Sequence, residues 1–278
     1  MADPQPILDP DSPPVPTPLP VAVSPLRFCR SCGSSLPPDL SNCPRCSQSS
    51  TTPIDTTSSF ALDIRLVKSS LYLYFTLLGT CMIFALVDLS SSRNDELHLQ
   101  TIVSIAISLI VVLWCLLRPA GILTLLRHTG RPLWYPAAIA ASLLTFTLAS
   151  TTLFALHQYL KMPILHYLNM FAAANADWRW GILIICVQPA LFEELAFRGF
   201  IQTSLSRVIG PYEAVVTSAL MFAILHCSIP SMPHLFLLGL FTALLRLKSG
   251  SLYPGMLLHF SHNLLVLLTE HYGVHFPW

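Results

Sequence analysis

Charge is scarce in this sequence. Only 10% of its 278 residues are Asp, Glu, Lys or Arg, against about 25% in a soluble globular domain. A chain this poor in charge cannot clothe a water-facing surface, and 53% hydrophobic residues point to an integral membrane protein. An excess of one sign is missing too, since 15 Lys+Arg stand against 14 Asp+Glu for a formal balance of +1. Nucleic acid is thereby excluded as a partner, because a phosphate backbone calls for a basic domain or stripe. There is also no H-E-x-x-H, the helical signature of many zinc proteases.

The first sixty residues lack the apolar runs that fill the rest. "MADPQPILDPDSPPVPTPLPVAVSP" (1–25) is proline-rich and has no apolar h-region. It is expected to be a disordered, partly polyproline arm and not a cleavable signal peptide. A polar stretch rich in Ser and Thr, "SQSSTTPIDTTSS", sets the expectation of a flexible linker over 48–66.

Between arm and linker lies a cysteine island, 26–47. Cys29-x-x-Cys32 and Cys43-x-x-Cys46 are separated by ten residues. Two C-x-x-C knuckles supply the four thiolates of a tetrahedral Zn²⁺ site, and the pattern resembles the short zinc ribbons of bacterial membrane proteins. The alternative is a pair of disulfides, which needs an oxidising compartment. Some twenty residues cannot bury a core, so a structural Zn²⁺ is what would fold this piece. Cys81, Cys115, Cys186 and Cys227 are scattered through apolar segments and read as small buried hydrophobes.

The fold class is all-α: a polytopic transmembrane bundle preceded by the small ribbon. A span needs about 20 apolar residues. Seven candidates are 70–89, 99–117, 135–156, 180–200, 214–230, 235–247 and 252–270, the sixth being short. Residues 67–176 then form accessory helices with an interfacial segment at 161–178, and 177–272 form the core that carries chemistry. Basic residues near the span ends number eleven on the N-terminal side against three, Arg93, Lys161 and Arg179, on the other. That bias places the N-terminus in the cytosol, where cysteines stay reduced, and suits a bacterial inner membrane.

Ionisable groups at membrane depth are functional candidates by default. They concentrate after residue 180: Glu193, Glu194 and Arg198 in "FEELAFRGF", His226 in "MFAILHCS", and His259, His262 and Asn263 in "LLHFSHNLL". Glu194 and Arg198 are four residues apart with the acid first, the favourable order for an ion pair on one helix face. Glu193 points about 100° away and has no such partner, which makes it the general-base or general-acid candidate. Pro189 cannot donate to the carbonyl of Ile185, and the freed oxygen is a place for water near the site. His259 and Asn263 lie one turn apart, and a neutral imidazole and a carboxamide can both donate to an oxyanion. His262, on a neighbouring face, reads as structural.

Three blocks in this order, E-E-x-x-x-R, F-x-x-x-H and H-x-x-x-N, resemble the CAAX protease and bacteriocin-processing family of intramembrane endopeptidases, whose best-known member is the type II CAAX prenyl endopeptidase. The resemblance covers about 178–270. It implies that Glu193 and His226 activate a water, that His259 and Asn263 steady the oxyanion, and that Glu194 and Arg198 orient the first block. Membrane lipid and a protein or peptide substrate are the implied partners. Two histidines and a glutamate suffice for a catalytic Zn²⁺ with one open position or for metal-free hydrolysis, and the reading leans to the second. The competing function is a non-enzymatic membrane immunity, transport or partner-binding protein that uses the zinc ribbon.

Overall fold

The computed structural model of the chain describes residues 27–28, 35–36, 40–44, 56–88, 95–161 and 166–273. In the cysteine island, β1 (Arg27–Phe28) and β2 (Ser35–Leu36) pair antiparallel, with Arg27 opposite Leu36. Cys29, Cys32 and Cys46 lie outside the described residues, as does the arm over 1–25, while Cys43 is buried.

All the rest of the described chain is helical or loop. The accessory part comprises α1 (Thr56–Asp88), α2 (Glu96–Leu117), α3 (Pro119–Arg127), α4 (Trp134–Leu160) and the short α5 (Tyr167–Ala173). Helix α1 starts at Thr56, inside the stretch expected to be linker, so residues 56–66 are helical. A helical rod over 182–205 follows, made of π1 (Ile182–Val187), α6 (Gln188–Glu194), π2 (Leu195–Ile201) and α7 (Gln202–Leu205). The bundle closes with α8 (Pro211–Leu225), α9 (Met232–Ser249) and α10 (Tyr253–His271).

Sequence reading expected seven spans; among the described residues three helices are long and apolar enough to cross a membrane, within Asp63–Asp88, Glu96–Leu117 and Trp134–Leu160. The difference has a physical cause. The rod, α9 and α10 carry the charged and imidazole side chains, and α8 has only 15 residues, about 22 Å at 1.5 Å per residue. The polar helices instead bury their functional faces against one another. Their lipid-like counterpart is the outer surface of α1, α2 and α4, where Phe75, Leu109, Leu116 and Leu143 are exposed. An all-helical bundle with exposed apolar flanks is the signature of an integral membrane protein.

Starts and stops follow local chemistry. Helices α8, α9 and α10 each begin with a proline in the first two positions, Pro211, Pro233 and Pro254, where its missing N–H costs nothing. Helix α9 ends at Gly250 in the left-handed region (φ 73°), whose N–H caps the carbonyl of Arg246. Buried Leu73, Leu77, Val111, Phe197, Phe222 and Leu258 form one core that joins accessory helices to the rod, α8 and α10. Buried polar links reinforce it: Ser70 Oγ lies 2.7 Å from Ser204 Oγ, and Gln188 Nε2 donates to Ser104 O at 3.2 Å.

Helices α8 and α9 approach closely. A Cβ added at Gly239 would stand 3.2 Å from Ala219 Cα and 3.2 Å from Phe222 Cδ1. Helix backbones meet this closely only where the side chain is absent. Gly239→Val is expected to force the pair apart, with a loss of about 1–3 kcal/mol read as a lower thermal midpoint in detergent. Gly79→Ala, where a Cβ meets nothing within 4 Å, should leave that midpoint unchanged or slightly raised.

Candidate active site

The site grows out of the winding of the rod. Pro189 interrupts the ladder, and the chain responds by winding wide: Gln188 N donates to Leu183 O, five residues back, and Gln202 N to Phe197 O in the second wide segment. Wide turns of this kind gather at functional sites. The Ile185 carbonyl, which Pro189 cannot serve, was expected to admit water. It is taken by Asn263, whose Nδ2 donates to it at 2.7 Å.

Glu194 is the hub. It is 1% exposed, and each of its oxygens meets a different helix. Oε2 lies 3.2 Å from Arg198 Nε, an ion pair without the alignment of a hydrogen bond. Oε1 lies 3.1 Å from His259 Nδ1 on α10. Arg198 in turn reaches α9, donating from Nη2 to Gly239 O at 2.9 Å and to the hydroxyl of Thr242. Its guanidinium lies 4.8 Å from the centre of the Phe222 ring on α8. One carboxylate and one guanidinium therefore tie together four helical elements. Gly255 makes room for this, because a Cβ there would come within 3.2 Å of Glu194 Oε2.

Phe222 brings the histidines near the hub. Fully buried, its ring stands edge-on to His226 at 5.0 Å, His259 at 5.7 Å and Phe197 at 5.2 Å. His226 terminates α8, and the next residue, Cys227, is left-handed (φ 50°). Helix α8 begins at Pro211, early enough to carry His226 to the same neighbourhood as His259. Cys227, expected to be buried, is exposed just past the helix end, whereas Cys186 is buried.

The two histidines are held alike. His226 Nδ1 lies 2.9 Å from the carbonyl of Phe222. A carbonyl or a carboxylate can only accept, so in both rings Nδ1 carries the proton and Nε2 of the neutral ring is a lone pair. This revises one expectation. A neutral His259 held this way offers Nε2 as an acceptor, and it donates to an oxyanion only when both nitrogens are protonated.

Glu193 interacts electrostatically with Arg198 but is not hydrogen-bonded into this network. It is 9% exposed, its Oε2 is sealed from solvent, and among the described residues that atom has no partner. No hydrogen bond or ion pair joins it to His226. The structure thus gathers Glu194, Arg198, His226 and His259 around Phe222, with Asn263 one turn along α10 from His259 and Glu193 adjacent to Glu194. No three His, Cys, Asp or Glu side chains among the described residues form a group that could hold a metal, and both Glu194 oxygens are already engaged.

Sequence reasoning missed the residues that receive these groups. Thr242 and Gly239 accept Arg198, and Thr145 on α4 lies 3.0 Å from His262 Nδ1, which makes His262 a structural bridge. His234, near the start of α9, interacts electrostatically with His226, and its Nδ1 is buried without a hydrogen-bond partner. Only its imidazole in an apolar segment marks it in the sequence.

Removing one partner of a buried ion pair leaves an uncompensated charge. Glu194→Ala should destabilise the bundle by about 3–5 kcal/mol, and Phe222→Ala by about 3–5 kcal/mol through the cavity it leaves. Both are checked by thermal unfolding of detergent-purified protein.

No curated protein and no solved structure matches the chain. A family model does, over residues 175–265, about a third of the chain, and its span takes in the rod, α8, α9 and the part of α10 that carries His259 and Asn263. The gathered acid, arginine and histidines therefore lie in the stretch that is similar to the type II CAAX prenyl endopeptidase Rce1-like family, a peptidase family, within a helical membrane bundle.

Proposed function

We propose that this chain is an intramembrane endopeptidase that hydrolyses peptide bonds of membrane-associated proteins or peptides through a water activated by Glu193 and His226. The observation that carries the reading is the unpartnered Oε2 of buried Glu193. An unsatisfied buried polar atom costs about 1–3 kcal/mol and is kept where it has work to do. Glu193, aided by the Nε2 lone pair of His226, takes a proton from water as its oxygen bonds to the peptide carbonyl carbon. The carbonyl electron pair moves to oxygen. Asn263 has a second amide N–H beyond the one given to Ile185, and His259, when doubly protonated, donates from Nε2; both face the oxyanion. Glu194 balances the imidazolium, and Arg198 holds Glu194 in place. Collapse expels the amine, which leaves with the proton first taken from water. No step is routed through a metal.

Glu193→Gln keeps the shape and removes the base. Cleavage is expected to fall by about 10²–10⁴-fold with the thermal midpoint unchanged, measured by comparing the proteomes of membranes carrying either protein. Undiminished proteolysis in that variant ends the proposal.

The reading also includes a structural Zn²⁺ on Cys29, Cys32, Cys43 and Cys46, with the N-terminus in the cytosol of a bacterial inner membrane. Elemental analysis of the purified protein should find one zinc per chain, lost in the Cys29→Ser/Cys32→Ser variant. A zinc-free native protein would refute the ribbon.

A further inference from the structure

An apolar groove opens between the rod and α10. Its volume is about 440 Å³, within the ~300–1,000 Å³ range of small-ligand sites. Ala190 and Leu191 of α6 form one wall, and Leu257 and Phe260 of α10 the other. The lining is almost wholly apolar, so the groove suits a hydrocarbon chain and offers nothing to a polar ligand along its length.

Thr129, Tyr135 and Tyr253 join the lining, and Thr129 is exposed. Both tyrosine hydroxyls are committed to the end of α3 and the loop after it, Tyr135 Oη donating to Thr129 O of the loop at 2.8 Å and Tyr253 Oη to Leu126 O in the last turn of α3 at 2.8 Å. The aromatic rings therefore line the groove with their hydroxyls turned to the backbone of 126–129, and tyrosines are enriched at membrane–water boundaries. The loop they hold is "RHTGR" (127–131). Cα atoms are 3.8 Å apart along the chain, so Arg127 and Arg131 lie within about 7.6 Å of the Thr129 backbone. Both arginines are exposed, and among the described residues neither has an acidic partner. Gly130 seats the loop on the turn before α10: a Cβ there would touch Ser251 Cβ at 3.0 Å. The last turn of α9 brings Arg246 and Lys248 to the same end of the bundle.

We infer that this groove binds an anionic phospholipid, with one acyl chain between α6 and α10 and the phosphate on Arg127 and Arg131. Charge complementarity selects the occupant. A basic rim over an interhelical apolar groove fits a headgroup of net negative charge, whereas a zwitterionic lipid brings a cationic group that offsets its phosphate beside the arginines and a bare isoprenoid leaves both arginines unused. The acyl chain touches the turns that carry the hub: Ala190 and Leu191 precede Glu193, and Leu257 and Phe260 flank His259. A bound lipid thereby buttresses the helices of the hub without entering it.

The test uses the full chain in detergent and native mass spectrometry with palmitoyl-oleoyl phosphatidylglycerol against the phosphatidylcholine of the same chains. Phosphatidylglycerol adducts are expected to dominate. Their advantage should fall roughly fivefold for each arginine removed, so Arg127→Gln/Arg131→Gln brings the two lipids near parity while total lipid retention persists. Leu191→Trp, which fills the groove from an exposed position, should lose both adducts with the thermal midpoint retained. Equal retention of the two lipids by the native protein would overturn the assignment, as would a headgroup preference that survives in the double variant. If farnesyl-cysteine methyl ester displaces both lipids and no headgroup preference exists, the groove belongs to an isoprenoid and the inference fails. The readout needs no proteolysis, so it stands or falls apart from the proposed activity.

Discussion

A carboxylate and a guanidinium buried together, Glu194 and Arg198, are the constraint around which this molecule is arranged. Neither can leave the apolar interior without the other, and the desolvation of both is tolerable only because every nearby element contributes something: His259 from α10, Gly239 and Thr242 from α9, the Phe222 ring from α8. Coulomb attraction is strong at low dielectric, but so is the penalty for a missing partner. The pair therefore specifies where the surrounding helices stand more than it adds net stability. Small residues make that specification possible, since Gly239 and Gly255 let backbone approach where a methyl group would push it away.

Pro189 acts on the same region by a different route. Its missing N–H widens the winding of the rod and hands the Ile185 carbonyl to Asn263. A backbone irregularity thus becomes a positional restraint on a side chain of the candidate site. The rod's departure from regular α-winding and the fit of the site are one feature, which explains why a segment carrying "FEELAFRGF" is not among the helices that qualify as simple spans.

The accessory helices have a supporting part in this arrangement. Tyr74 of α1 stands edge-on to Phe197 at 6.3 Å, and Gln188 is held by Ser104 and Ser108 of α2. Their outer faces meet lipid and their inner faces fix the back of the rod. The rod is consequently clamped between an apolar lipid-facing layer and a polar functional layer, and its two wide segments sit where those layers exert opposite demands.

Composition and spacing determined the class of this protein: an all-helical membrane bundle, ionisable groups at membrane depth concentrated after residue 180, an acid and an arginine placed to pair, and histidines on separate helices. Those properties are local or additive, so residue order alone carries them. What the sequence read wrongly or not at all was relational. The extent of α1, the fate of the Ile185 carbonyl and the attachment of His259 to Glu194 depend on distances between elements far apart in the chain. So does the ring of groups around Phe222, because a phenylalanine four residues before a histidine looks like any core residue until the other helices close on it. Periodicity says which face a side chain occupies; only packing in three dimensions decides which partner waits there, and with it which nitrogen of each imidazole is left free.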